Sequence, residues 1–450
     1  MNLKPFSRQL LAILLIIFMI HTSTEAQKWS QFRGHKAMGI AENANLPDTW
    51  DLKTGENVKW KIDIPGLGLS CPVIWDDKLF ITTAVSEDDN SGFKTGYFGN
   101  VDPVNDTSYH EWKVFCFDKN TGKKLWEDTP YKGIPMIKRH SKSSHANCTP
   151  ATNGEYLVVF FGSEGLYCYD LDGKLIWDKS FGKLKSTWFM NEKAEWEFSS
   201  SPIIHEDVVI IQCDVFENSF LAAYDIATGK ELWKTDRLEY PGWCTPAVYD
   251  VEGKTQVVVN GYRHRGAYDF ETGEEIWKMS GGGDIQVPTP IYNDDLVFFN
   301  SAHGRFSPIL AVKKEAKGDI TLAKGETSNE YAQWSWPRGG AYMNSMRLYE
   351  GNLYNFRWNG ILNCINPETG EEIYKTKVGE RVSFINSPIA ADGKIYLVDE
   401  NGMVYIIKSG NTYELLHTNT LDDVFMTTPA ISEETIYFRT MQHLIALSKE

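Results

Sequence analysis

Four short segments gather the side chains that hold anions or move protons: KRHSKSSHANCTP (138–150), YRHRG (262–266), AHGRF (302–306) and SWPRGGAYMNS (335–345). The chain has 450 residues and a formal charge of −15, so these basic clusters stand against an acidic background. Arginine's planar fork pairs bidentately with carboxylate or sulfate, and His and Tyr serve as proton carriers. Eliminating the group at C4 of a uronic acid needs a cation to neutralise the carboxylate, a base for H5 and an acid for the leaving group. On that chemistry the expected proton-transfer groups are His145, His264 and Tyr342. The expected substrate-holding ring is Arg139, His140, Tyr262, Arg263, Arg265, His303, Arg305, Trp334 and Arg338. The implied activity is that of a β-eliminating lyase or dehydratase acting on a uronate or sulfated oligosaccharide or polysaccharide. No HxxxH-type zinc pair or Gly-rich phosphate loop is present, so no metal and no cofactor is expected. The acidic balance, without a basic tail, argues against a nucleic-acid partner.

Whether those segments can meet depends on the elements that carry them. A phrase recurs along the chain: FDKNTGKKLW (117–126), YDLDGKLIW (169–177), YDIATGKELW (224–233), YDFETGEEIW (268–277) and NPETGEEIY (366–374). Each is an apolar strand, a tight turn whose Gly supplies positive φ, and a strand ending in Trp or Tyr. A second hairpin precedes it, as in SPIIHEDVVIIQCD (201–214) and SPIAADGKIYLVDENG (387–402), giving four strands A to D per unit. Eight such A–B phrases occur. The last unit ends at HLIALSKE, a C strand, whereas DLKTGENVKWKI (51–62) is a D strand with nothing before it. The surplus at one end fills the gap at the other, leaving no open sheet edge. The expected fold is therefore all-β: an eight-bladed β-propeller of four-stranded antiparallel blades, closed by the N-terminal strand. Trp126, Trp177, Trp233 and Trp277 read as blade-docking residues, whereas Trp188, Trp334 and Trp336 break the repeat.

Short A–B and C–D turns lie on one face of such a propeller, and the D–A and B–C connections on the other. The long insertions 86–112, 128–147, 181–199 and 323–343 are assigned to that second face. Arg139, Arg263, Arg265, Arg305, Arg338, Arg357, Arg381 and Arg439 fall in or beside the same connections, which predicts one basic, aromatic mouth.

The docking repeat, with the opening WSQFRG and IPGLGLSCPVIW, resembles the exported PQQ-like (quinoprotein/BamB-like) propeller family across nearly the whole mature chain. That resemblance implies either a quinoprotein dehydrogenase or a non-catalytic envelope scaffold. The dehydrogenases carry adjacent cysteines in a vicinal disulfide, and no two of the seven cysteines here are adjacent. A BamB-like scaffold with a protein partner is the alternative to the lyase. Residues 1–26, with Lys4 and Arg8 before an apolar run and Thr24-Glu-Ala26 at its end, read as a signal peptide cut near Ala26. No cysteine follows that cut for lipid attachment, and no further apolar run is long enough for a transmembrane segment. A single propeller domain over 27–450, periplasmic or secreted, is expected. Buried strand thiols are the expectation for the cysteines.

Overall fold

The computed structural model describes residues 28–88, 92–96, 102–303 and 306–450; the expected signal peptide therefore lies outside the described residues. Eight sheets follow one another along the chain, with their hydrogen-bonded cores in sequential meander order. Blade 1 comprises Val73–Trp75, Lys78–Ser86, His110–Asp118 and Lys124–Gly133, and blade 3 comprises Ile203–His205, Val208–Cys213, Phe220–Asp225 and Glu231–Asp236. Blade 8 takes three strands from 430–448 and its outer strand from Val58–Asp63, which pairs antiparallel with His443–Ser448. The ring is thus closed by an N-terminal strand, as the repeat count requires.

The turn chemistry explains why the phrase repeats. In blade 3, Asp225 Oδ1 accepts the Thr228 amide at 2.9 Å and the Thr228 hydroxyl at 2.5 Å, while the Gly229 amide donates to the Asp225 carbonyl. Gly229 sits at φ 68°, and a Cβ there would lie 2.7 Å from the Trp177 ring of the preceding blade. The Trp177 indole N–H donates to the Ile226 carbonyl of the same turn at 2.7 Å. Glycine is therefore required twice, for its backbone conformation and for the indole lying on it. Trp60 on Gly122, Trp126 on Gly173, Trp233 on Gly273 and Trp334 on Gly370 repeat the contact. Their indoles donate to the carbonyls of Lys119, Leu171, Phe270 and Pro367.

A second set of contacts locks the blades at the axis. The residue opening each A strand offers its amide to the hydroxyl or thiol at the same position in the next blade. The Cys71 amide donates to Thr149, Thr149 to Ser201, Ser201 to Thr245, Thr289 to Ser345, Ser345 to Ser387, and Ser387 to Thr428. The Thr428 amide closes the circle on Cys71 Sγ at 3.2 Å. The girdle is broken at one step: the Thr289 hydroxyl is buried without a partner between blades 4 and 5. Trp277, which should dock blade 4 on blade 5, also has an unpaired buried indole N–H.

Beside Trp277 lies an insertion that the sequence pattern assigns to the wrong face. The outer strand of blade 5 is Ala332–Trp336, so the extra residues fall between strands C and D rather than between D and A. Gly318–Asp319 within them adds a parallel fifth strand to blade 4, opposite Trp277–Lys278. Below the axis, the segment WSQFRG crosses from blade to blade. Trp29 bridges Ile74, the Ser30 carbonyl accepts the Thr152 amide, Gln31 accepts the Ile204 amide, and Arg33 donates to the Met346 carbonyl. Ile40–Ala41 then pairs parallel with Ala390–Ala391. This strap floors the axial channel. All seven cysteines are free and buried.

Candidate functional site: the axial cavity

Above the strap lies a cavity of about 770 Å³. Its wall is the hydroxyl girdle, and its floor includes Phe32. Its mouth carries Trp188, Trp196, Trp243 and Trp358 with His140, Lys142, His303, Tyr342 and Arg357. Trp188 and Trp196 stack nearly parallel with centroids 6.0 Å apart, Trp243 leans on Trp196, and Trp188 packs edge-on to His303. His303 Nδ1 lies 2.7 Å from Asp284, whose other oxygen accepts the Trp188 indole N–H at 3.2 Å. Lys142 is held by the buried Glu400 carboxylate and by the Gly96 carbonyl at 3.0 Å.

Among the described residues no carboxylate lines this cavity; Asp284 and Glu400 stand one layer behind, tied to His303 and Lys142. The quinone chemistry that the family resemblance implies has no acidic side chain to hold a metal or take a proton here. The residues do not fit that cofactor.

Three of the twelve expected site residues, His140, His303 and Tyr342, reach the cavity. His145 is buried behind its wall, with Nδ1 2.5 Å from Glu197, and burial drives its pKa down to about 3. Arg139 is wholly buried and donates to the Ser143 carbonyl. Tyr262, Arg263 and His264 form a separate rim cluster organised by Glu239. That carboxylate, raised to about 6 by burial, accepts the amides of Tyr240, Arg263 and His264. His264 Nε2 points to Glu275 at 3.4 Å. Arg265 is wholly buried over the Phe299 ring, and burial lowers its pKa to about 10. Trp334 is the blade-5 docking residue on the opposite face, Arg338 is exposed, and Arg305 lies outside the described residues.

Three of the eight loop arginines turn inward, whereas Arg357 reaches the mouth. Arg139, Arg265 and Arg439 are fully buried; Arg439, for example, donates to the carbonyls of Ser70 and Thr82 and stitches blade 8 to blade 1. Arginine's several donors satisfy the free carbonyls where strands leave the ladder. Glu197, Glu239 and Glu400, which position histidines and a lysine, carry no local spacing signal, and Asp284 stands in the sequence only as one of several scattered loop-face acids.

The family model described as outer membrane protein assembly factor BamB matches residues 110–306 and 217–450. The chain belongs to the BamB family. Curated BamB relatives include those of Burkholderia pseudomallei, 23% identical over 49% of this chain and 60% of the relative, and Shewanella oneidensis, 21% identical over 71% and 65%. The chain thus spans about half to two thirds of the length of the curated relatives it matches, including 48% of the Legionella pneumophila protein. Solved structures share the fold. BamB from Moraxella catarrhalis has a TM-score of 0.55 at 12% identity, over 81% of this chain and 98% of that one. A europium-containing methanol dehydrogenase has 0.65 at 11%, over 94% and 98%. Among the described residues no helix is long and apolar enough to cross a membrane.

The family overturns the lyase and dehydratase reading, and with it carbohydrate binding, polysaccharide degradation and the acidic-saccharide partner. The geometry supplies a physical reason. The expected base and acid, His145 and His264, lie one behind the cavity wall and one at Glu275, so they do not share a reacting centre with Tyr342.

Proposed function

We propose that the protein is a non-catalytic envelope propeller that docks a protein partner in outer-membrane protein assembly. Residues 1–26 act as its export signal, cleaved near Ala26, and 27–450 as one domain working in the periplasm. The match to the BamB model over 110–450 carries this reading. An aromatic rim on the loop face supports it. Phe189 stacks on Tyr240 at 4.4 Å and on Tyr262 at 4.5 Å, and Arg263 lies 4.3 Å over Tyr240. Beside them Met190 is 65% and Leu238 76% exposed. Tyr and Arg with exposed apolar neighbours are the composition of an interface centre. His140, His303 and Tyr342 on this reading line the mouth that the partner covers.

The test is binding of the purified chain to the purified outer-membrane assembly machinery of the same organism, followed by interferometry. Leu238→Asp and Tyr240→Ala should each weaken binding by at least about tenfold, the size of one interface anchor. Deleting the gene should lower outer-membrane β-barrel content. Unchanged barrel content and no binding by the intact chain would sink the reading.

A further inference from the structure

We propose that Asp106, His110 and His145 form a binding site for a divalent transition-metal ion of the zinc class, set behind the wall of the axial cavity. Asp106 and His110 lie four residues apart where the long connection of blade 1 enters its C strand, and His145 lies on the loop from blade 1 to blade 2. One ligand atom from each falls within 4.8 Å of the other two.

The hydrogen bonds assign the protons. His110 Nδ1 is 3.0 Å from the Ser108 carbonyl, which only accepts, so Nδ1 carries the hydrogen and Nε2 presents a lone pair. That Nε2 faces Asp106 Oδ2 at 3.4 Å, a second acceptor. His145 Nδ1 is held by Glu197 at 2.5 Å, and its Nε2 is buried with no hydrogen-bond partner. His110 Nε2, His145 Nε2 and Asp106 Oδ2 converge on one buried point, and a cation there would satisfy all three. The Arg139 guanidinium stands beside this point, with Nε 3.8 Å from Asp106 Oδ2 and Nη1 donating to the Ser143 carbonyl at 3.2 Å.

Two neutral imidazoles and one carboxylate match a borderline ion better than calcium or magnesium, which take oxygen sets. The outer layer is also built. Glu197 orients His145, the Ser108 carbonyl orients His110, and the Ser108 amide and hydroxyl fix Asp106 Oδ1 at 3.2 and 2.6 Å. A carboxylate behind a ligating imidazole fixes its tautomer and raises its basicity. Trp112, fully buried, donates its indole N–H to the His145 carbonyl at 2.8 Å and packs against both rings. The sequence showed none of this, because the three ligands come from two segments.

The full chain, stripped with chelator, is titrated with Zn²⁺ by calorimetry, with Co²⁺ absorption reporting the ligand field and Ca²⁺ as the oxygen-preferring control. One Zn²⁺ per chain is expected, together with a nitrogen-ligated Co²⁺ spectrum and no Ca²⁺ uptake. His110→Ala and His145→Ala should abolish that stoichiometric binding. Asp106→Asn and Glu197→Gln keep side-chain volume and guard against misfolding; Glu197→Gln should weaken binding about 10- to 100-fold. A wild-type chain that takes up no Zn²⁺, or one whose affinity is the same in His110→Ala and His145→Ala, overturns the proposal. So does a proton on His145 Nε2 in nitrogen-15 spectra of the chain with Zn²⁺ present, which would mean that Glu197 and the imidazoles share protons instead.

Discussion

Replacing threonine by valine at four equivalent positions isolates what the axial girdle contributes. Thr149, Thr245 and Thr428 each accept an amide from a neighbouring blade, at 2.9, 3.0 and 3.2 Å. Thr289 holds the same position in blade 5 with equal burial, but its hydroxyl bonds to nothing. Valine matches threonine in shape, so no cavity opens, and the difference among the four reports the hydrogen bond alone. Stranding the amide of Cys71, Ser201 or Ser387 should cost about 1–3 kcal/mol, nearer the lower value where cavity water reaches it. Removing the unpaired hydroxyl of Thr289 should be neutral or slightly stabilising, because a buried polar atom gives way to a methyl group. With an unfolding entropy of about 2.1 cal/mol/K per residue over ~420 residues, roughly 0.9 kcal/mol per kelvin, the three costs become Tm losses of about 1–3 K. Urea midpoints give better resolution than Tm at this size, with m unchanged. Equal losses at all four positions, or a loss at Thr289 only, would refute the account of the girdle.

Two further outcomes follow from the same geometry. Trp233→Phe should cost about 1 kcal/mol through the lost bond to the Phe270 carbonyl, whereas Gly273→Ala should cost about 1–3 kcal/mol or more, since its φ is 73° and the new Cβ meets the Trp233 ring at 2.4 Å; a milder glycine variant, by urea unfolding, would contradict the docking contact. Glu164 is buried, with its pKa raised to about 8 by desolvation and by Glu197. The unfolded carboxyl ionises near ~4.3, so folding takes up a proton between the two values, and stability falls as pH rises through that window. Glu164→Gln should therefore gain on the wild type by a few kcal/mol from pH ~5 to ~8; parallel stability curves at the two pH values would show that the carboxyl ionises freely in the fold.

The propeller was legible because its determinants are local and repeated eight times. Asp or Asn with Thr-Gly or Asp-Gly builds the repeated turn, and a Trp or Tyr four residues after the glycine follows on the outer strand, so the pattern shows itself along the chain. Closure was equally legible, since strand Val58–Asp63 is the piece that blade 8 lacks. Blade 5 was misread where the repeat itself lapses: an insertion between its C and D strands looks, in one dimension, like an insertion after D. Trp334 then resembles a stray aromatic instead of the docking residue it is.

The candidate site was legible in its composition and not in its convergence. A basic residue in a loop reads the same whether it faces the cavity, as His140 and His303 do, or turns inward to satisfy strand-end carbonyls, as Arg139 and Arg439 do. That choice is made by acids far away in sequence: Glu197 for His145, Asp284 for His303, Glu400 for Lys142. The sequence by itself determined the blade count, most of the turns, the docking of Trp126, Trp177 and Trp233 and the closing strand, because each rests on neighbours within a few residues or on a periodic count. Only the tertiary structure decided which charged groups are buried and which meet, because the free energy of a charge depends on partners and solvent brought to it from other blades.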